Sequence, residues 1–229
     1  MIRFHQASFA YRAGEPVLSR VDLEISPGLT LLLGPNGCGK STLLKLAAGV
    51  ERPDSGRVEI DGRDLWVNEA AARRGLAYVP EQPDLTPYAK VGEILDLVCR
   101  LRGEPRSRGR EALEIAGLSG LAHRSVRELS MGQRRRAVLA AARVGAPRQV
   151  LLDEPLEAMD RNARGEILAW VDQLVAARAD VVVVSHDVEP FAARACRALA
   201  VRAGQCVDAG ALPDDPSERL ALLDRLARG

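Results

Sequence analysis

The stretch Gly34-Pro35-Asn36-Gly37-Cys38-Gly39-Lys40-Ser41-Thr42 packs three glycines, a lysine and two hydroxyls into nine residues, directly after the apolar run Leu29-Thr30-Leu31-Leu32-Leu33. Gly34, Gly39, Lys40 and Ser41 satisfy the spacing G-x-x-x-x-G-K-[ST], between a predicted strand and a predicted helix over Ser41–Ala48. Glycines let the backbone curl so that successive N–H groups face an anion, and the helix that follows offers its positive end to the same anion. Lys40 then reaches the β- and γ-phosphates of a nucleotide, and Ser41 is a Mg²⁺ ligand. This segment fixes the expected fold as α/β, a P-loop NTPase core around a mixed, largely parallel sheet.

Working outward, short Val- and Leu-rich runs recur at Val17–Ile25, Arg57–Ile60, Leu76–Val79, Val150–Leu152, Val181–Val184 and Ala198–Val201. Helical-looking segments separate several of them, and this pattern predicts early antiparallel hairpins, an N-terminal antiparallel β-subdomain, and a parallel core. From about Pro87 to Gly145 no strand pattern appears; Val91, Ile94, Leu95, Val98 and Leu101 have helical spacing, so an α-helical subdomain is inserted there. The expected organisation is a single domain over 1–229. Residues 1–86 and 146–210 form the core with its β-subdomain, 87–145 the helical subdomain, and 211–229 a tail with an amphipathic helix from Ser217 to Arg228.

A phosphate loop needs a metal carboxylate and a base. Val150-Leu151-Leu152-Asp153-Glu154-Pro155 reads as a buried parallel strand ending in two carboxylates, and ligands of open α/β sheets sit at such strand ends. Asp153 suits a Mg²⁺ shell and Glu154 the polarisation of an attacking water. Leu129-Ser130-Met131-Gly132-Gln133 opens an Ala-rich helix. Ser130 and Gln133 form a capping-box pattern, which serves to start a helix and equally leaves helix-end N–H groups for a second phosphate.

With 229 residues, 47% hydrophobic and 28% charged, the chain has the composition of an ordinary soluble protein, and its apolar runs are too short to span a bilayer. The N-terminal MIRFHQASFAYR lacks a secretory signal pattern, and four scattered cysteines form no Cys-x-x-Cys pair, so a cytoplasmic location with free thiols is expected. Cys38, lying in the loop beside Lys40, should be shielded from thiol reagents by Mg-ATP. A net charge of +1 supplies no drive toward nucleic acid, and none is expected as a partner. The arginines at Arg100–Arg110 and Arg134–Arg136 read as solvated or membrane-proximal surface.

Together GPNGCGKST, LSMGQ and VLLDEP resemble the phosphate loop, signature and magnesium-strand motifs of the ATP-binding-cassette ATPases, in matching order from Ile2 to Gly210. The resemblance implies ATP and Mg²⁺ as ligands, with ATP held by Gly34, Asn36, Gly37, Cys38, Gly39, Lys40, Ser41 and Thr42. It also implies that Tyr11 stacks on adenine, Glu154 is the catalytic base, and His186, in Val183-Val184-Ser185-His186-Asp187, sits near the γ-phosphate with Lys40. The metal set is Ser41, Asp153 and a glutamine of the segment Tyr78-Val79-Pro80-Glu81-Gln82-Pro83. There an ungapped match puts Glu81 at the family's glutamine position, and Gln82 is named as the polar ligand.

The family further implies a head-to-tail pair, with a second copy or a homologous cassette, in which Ser130, Gly132 and Gln133 of one chain close on the ATP of the other. Asp160, in Glu157-Ala158-Met159-Asp160, lines that interface. Met131 replaces the family's usual glycine. The implied role is the motor of a transporter, peripheral on the inner face of the cell membrane and docked to a transmembrane permease subunit through Pro87–Gly103. Similarity of that segment to exporter-type cassettes leans toward export. A soluble assembly or nucleic-acid-associated ATPase is the alternative.

Overall fold

The computed structural model describes residues 1–82, 85–157 and 159–229; Pro83 and Asp84 of the segment after Tyr78, and Ala158 ahead of Asp160, lie outside the described residues. The strands in chain order are β1 (Ile2–Phe9), β2 (Leu18–Ile25), β3 (Gly28–Leu33), β4 (Ser55–Ile60), β5 (Arg63–Asp64), β6 (Leu76–Val79), β7 (Gln149–Asp153), β8 (Asp180–Val184), β9 (Ala195–Arg202) and β10 (Gln205–Asp208). The helices are α1 (Lys40–Ala48), α2 (Glu69–Arg73), α3 (Val91–Arg102), α4 (Arg106–Ile115), α5 (Met131–Arg143), α6 (Arg161–Ala176), α7 (Glu189–Ala192) and α8 (Pro216–Arg228).

Two sheets organise them. One has the order β2-β1-β4-β5, every pair antiparallel; the other runs β10-β9-β3-β8-β7-β6, parallel except for the β9–β10 hairpin. Strands β7 and β8 are buried at every position, as continuous Val/Leu runs must be when both faces of a parallel sheet are covered. Their side chains alternate between two cores. Leu32, Leu151, Val182 and Val184 face α1 and the antiparallel sheet, whereas Leu31, Leu33, Val150, Leu152, Val181 and Val183 face α6, α7 and α8.

The inserted segment has its own apolar core, built from Val91, Leu95 and Cys99 of α3, Ala112 and Leu113 of α4, and Ala137 and Ala140 of α5. This is the expected α-helical insertion. The tail helix is also as expected: Asp215 caps it by accepting the N–H groups of Ser217 and Glu218, and Leu223 is fully buried against the sheet. Among the described residues no helix is long and apolar enough to cross a membrane.

The structure adds β1, absent from the run-based reading. Its apolar positions change phase, Ile2 and Phe4 before Gln6 and Ala7 and Phe9 after it, because Gln6 adopts a left-handed conformation (φ +48°) and shifts the register. A one-residue bulge hides the period-two signal while leaving all four apolar side chains in the core.

Candidate nucleotide site

The loop from Gly34 to Gly39 joins β3 to α1; all three glycines are required by backbone angle, and Gly34 and Gly39 by space as well. Gly34, Gly37 and Gly39 have φ of +146°, +77° and +107°. A Cβ on Gly34 would lie 2.5 Å from the Val201 carbonyl oxygen and 2.8 Å from Cys38 Sγ; on Gly39 it would press at 3.2 Å on Leu18 and Val17. No side chain caps α1 and no acidic residue occupies its first turn, so the positive helix end keeps its capacity for an anion. Lys40 is 9% exposed, and its ammonium donates to the carbonyls of Gly34 at 2.7 Å and Pro35 at 2.9 Å, holding the cation on the loop.

The facing wall comes from the carboxyl ends of β7 and β8. Asp153 is 2% exposed, and burial raises its pKa, partly offset by the Ser41 hydroxyl beside it. Glu154 adopts φ +48°, a conformation L-residues avoid at a cost of about 1–3 kcal/mol. One of its carboxylate oxygens, Oε2, accepts the backbone N–H of His186 at 3.2 Å, and the other, Oε1, lies 3.6 Å from His186 Nε2. Burial raises the Glu154 pKa, with the His186 N–H working in the opposite direction. Among the described residues, Asp153 Oδ1 and Glu154 Oε1 are buried acceptors without a hydrogen-bond donor. Two orphaned anionic oxygens beside a hydroxyl form a donor set of the hard-oxygen kind that suits Mg²⁺.

These walls enclose a cleft of about 520 Å³ lined by Tyr11, Val17, Asn36, Gly37, Gly39, Lys40, Ser41, Thr42, Glu81, Asp153, Glu154, Val184 and His186. The predicted Tyr11, Lys40, Ser41, Asp153, Glu154 and His186, distant in sequence, therefore meet in one place. Tyr11 is 53% exposed; its ring packs edge-on against Phe9, centroids 4.9 Å apart at 88°, and its hydroxyl lies 3.4 Å from Thr42 Oγ1. Gly34 and Cys38 sit behind the loop: Gly34 is buried, and Cys38 packs into the core that also takes Cys206.

Three predicted groups lie elsewhere. Gln82 is exposed and does not line the cleft; Glu81, its neighbour, does. The reason is a contact distant in sequence: the Glu81 carbonyl is held at 2.5 Å by the Arg135 guanidinium, which orients this bend of the chain. Ser130, Gly132 and Gln133 open α5 outside the cleft of their own chain, with the capping box formed: Gln133 N–H donates to Ser130 Oγ at 3.2 Å and Ser130 N–H to Gln133 Oε1 at 2.9 Å. Met131 beside them is 75% exposed. Asp160 caps α6 by accepting the Ala163 N–H at 2.9 Å, and it too is absent from the cleft lining.

Sequence reasoning placed Glu81 at the family's glutamine position but named Gln82 instead, and it missed both Val17, beside Tyr11, and Arg135. The Arg134–Arg136 cluster is not the solvated patch that was expected: Arg134 donates to the carbonyls of Val126, Leu129 and Arg127, and Arg135 is 5% exposed.

Residues 18–157 match the model of a family described as ABC transporter. The chain is 36% identical over 206 residues to a molybdenum import ATP-binding protein, ModC, of Rhodopseudomonas palustris (strain HaA2), which covers 85% of this chain and 54% of that protein. It is 37% identical over 199 residues to a sulfate/thiosulfate import ATP-binding protein, CysA, of Thermosynechococcus vestitus (strain NIES-2133 / IAM M-273 / BP-1), covering 84% of this chain and 59% of that protein. The chain thus spans little more than half the length of these relatives. A dimeric bacterial ABC transporter cassette superposes with a TM-score of 0.80 at 27% identity, over 90% of this chain and 96% of its own; the same cassette is known in a dimeric post-hydrolysis state with ADP and Pi. With its phosphate loop, its paired strand-end carboxylates and a family match over most of its length, this chain belongs to the ABC transporter family.

Proposed function

We propose that this chain binds Mg-ATP in the cleft and hydrolyses it as the ATP-binding motor of a membrane transporter, working in a pair with a second cassette and docked on a permease. The observation that carries the reading is the meeting, in one cleft, of the Lys40 loop with the orphaned carboxylates of Asp153 and Glu154 and with His186.

In this reading the adenine stacks on the open face of Tyr11, since an aromatic ring accepts any purine face. Loop N–H groups and the start of α1 take the phosphates, and Lys40 swings from the Gly34 and Pro35 carbonyls to the terminal ones. Ser41 and Asp153 would hold Mg²⁺, which neutralises charge on the phosphates. Glu81, rather than Gln82, supplies the side chain from the β6 end. Glu154 accepts a proton from water while the water oxygen bonds to the γ-phosphorus and the bond from that phosphorus to the bridging oxygen breaks, giving ADP and phosphate. His186, beside Glu154, orients that water.

Among the described residues of this chain none caps the γ-phosphate end of the cleft, and the capped start of α5 at Ser130 and Gly132 lies away from it. A second copy placed head to tail supplies that cap, with Asp160 at the contact; the dimeric cassette relative supports this arrangement. Hydrolysis then removes the bridging phosphate and lets the halves separate.

For direction of transport, the lean toward export gives way. The relatives that span 84–85% of the chain are import ATP-binding proteins, and we propose an import system, with the permease docked on α3, where Leu97 and Leu101 are 46% and 75% exposed, and on nearby Tyr88, 73% exposed. Its place is the inner membrane face, held there by the permease.

The test is phosphate release by the purified chain. The parent should turn over ATP with Mg²⁺, and Lys40→Ala should lose nucleotide affinity by about 10–100-fold, as expected for removing charge-assisted bonds of about 1.5–3 kcal/mol. Transfer of phosphate to an acceptor other than water would contradict the reading.

A further inference from the structure

The Arg135 guanidinium ties together the three elements meeting behind the cleft. It lies on α5, five residues beyond the Ser130 cap, and is 5% exposed. One terminal nitrogen donates to the Glu81 carbonyl at 2.5 Å; the other donates to the Asp153 carbonyl at 3.1 Å and to the Glu154 carbonyl. Burial pulls its pKa down, and the nearby carboxylates of Glu157, Glu154, Asp153 and Glu81 push it back up, so a buried cation stands among four acidic side chains.

We propose that Arg135 is a positioning residue for hydrolysis: its planar fork locks the backbone of Glu154, and with it the carboxylate, in the arrangement that activates water, and fastens it to the helix that starts at Ser130. The inference rests on the ATPase reading above. Three observations carry it. Glu154 sits at φ +48°, a conformation that persists only where surrounding contacts hold it, and the Arg135 bond to its carbonyl is such a contact. The fork spans the ends of two adjacent strands, β6 through Glu81 and β7 through Asp153, so it fixes the spacing of the residues that these two strand ends bring to the cleft. And α5 carries both Arg135 and the Ser130–Gly132 end, so one helix links the clamp on the Glu154 backbone to the surface offered to a second copy.

A lysine keeps the charge but not the bidentate geometry. The measurement is steady-state ATP hydrolysis together with ATP binding for Arg135→Gln, Arg135→Lys, Glu154→Gln and the double variant Arg135→Gln/Glu154→Gln. Misplacement of a catalytic group by about 1 Å costs about 10²-fold. Arg135→Gln should therefore lose about 10²-fold in kcat with ATP affinity within about twofold of the parent, and Arg135→Lys should recover part of that loss. The double variant should be no slower than Glu154→Gln, because both act on one group. Hydrolysis within about threefold of the parent in Arg135→Lys and Arg135→Gln, or a double variant slower than Glu154→Gln by the full Arg135→Gln factor, would overturn the proposal. If Arg135→Gln does not fold, Arg135→Lys decides: a normal kcat refutes, a reduced kcat at unchanged ATP affinity supports. Failure of the ATPase reading itself would show differently, as absence of hydrolysis in the parent.

Discussion

The carboxylate of Glu154 accepts the backbone N–H of His186 at 3.2 Å while its second oxygen, 3.6 Å from His186 Nε2, stays buried without a donor among the described residues. Two strand ends, β7 and β8, thus present a half-satisfied base and an imidazole to the same point of the cleft. Replacing the imidazole leaves the backbone bond, and with it the placement of Glu154, in place. His186→Ala should accordingly lower kcat by about 10²-fold, the low end for a positioned proton-handling group, with ATP affinity nearly unchanged. Phosphate-release kinetics check it, and undiminished turnover would remove His186 from the reaction.

A base held ready in this way should destabilise the nucleotide-free fold. Burial raises the Glu154 pKa above its ordinary 4.5. Below that value the group is protonated in both folded and unfolded chains; as pH rises through the raised folded value, the folded state alone carries a buried charge and stability falls. Glu154→Gln carries no such charge. Its Tm should exceed the parent's at pH 7.5, and the gain should vanish toward pH 4; about 2–4 °C corresponds to each 1 kcal/mol at this chain length. Asp153 shifts in the same direction and remains in both proteins. Thermal melts at the two pH values without nucleotide give the answer, and equal Tm values at pH 7.5 would contradict the argument.

Tyr11 offers an open ring face on the cleft, backed edge-on by Phe9. Loss of one base-stacking ring costs about 1–3 kcal/mol. Tyr11→Ala should weaken ATP binding about 5–150-fold, whereas Tyr11→Phe, which loses only the 3.4 Å contacts of its hydroxyl with Thr42 Oγ1 and Lys45 Nζ, should bind nearly as the parent does. Equilibrium titration with a fluorescent nucleotide separates the two.

The thiols give an independent mark of where nucleotide lies. Cys99 is buried, and burial pushes the Cys206 thiol up to about 12, so neither should react at neutral pH. Exposed Cys196 reacts regardless of ligand. Cys38, half-buried and packed into the core behind the loop, should be labelled slowly by a maleimide in the free protein and more slowly with Mg-ATP holding the loop, with activity lost in step. Peptide mapping that finds Cys38 labelling unaffected by Mg-ATP would contradict this shielding of the loop thiol.

Much of this could be read from residues alone, for physical reasons that differ by element. The β3-loop-α1 unit is legible because its glycines meet a conformational demand that other residues meet poorly, and a Cβ on Gly34 would lie 2.5 Å from the Val201 carbonyl oxygen. Strands β7 and β8 are legible because double-sided burial leaves unbroken apolar runs. Strand β1 is obscured by the bulge at Gln6, which breaks its alternation. The choice between Glu81 and Gln82 was beyond local reasoning, since it depends on a guanidinium 54 residues away. Arg135 itself did leave a signal: with Leu139 and Ala142 it follows i, i+4, i+7 on the buried face of α5, and the surrounding arginines masked that phase.

The central claim is that one ATP is gripped by two chains, the loop of one and the Ser130–Gly132 end of the other. Sedimentation of Glu154→Gln under saturating Mg-ATP measures it most directly. The account predicts a shift from monomer to dimer that ADP does not produce; a monomer persisting with Mg-ATP bound would contradict it.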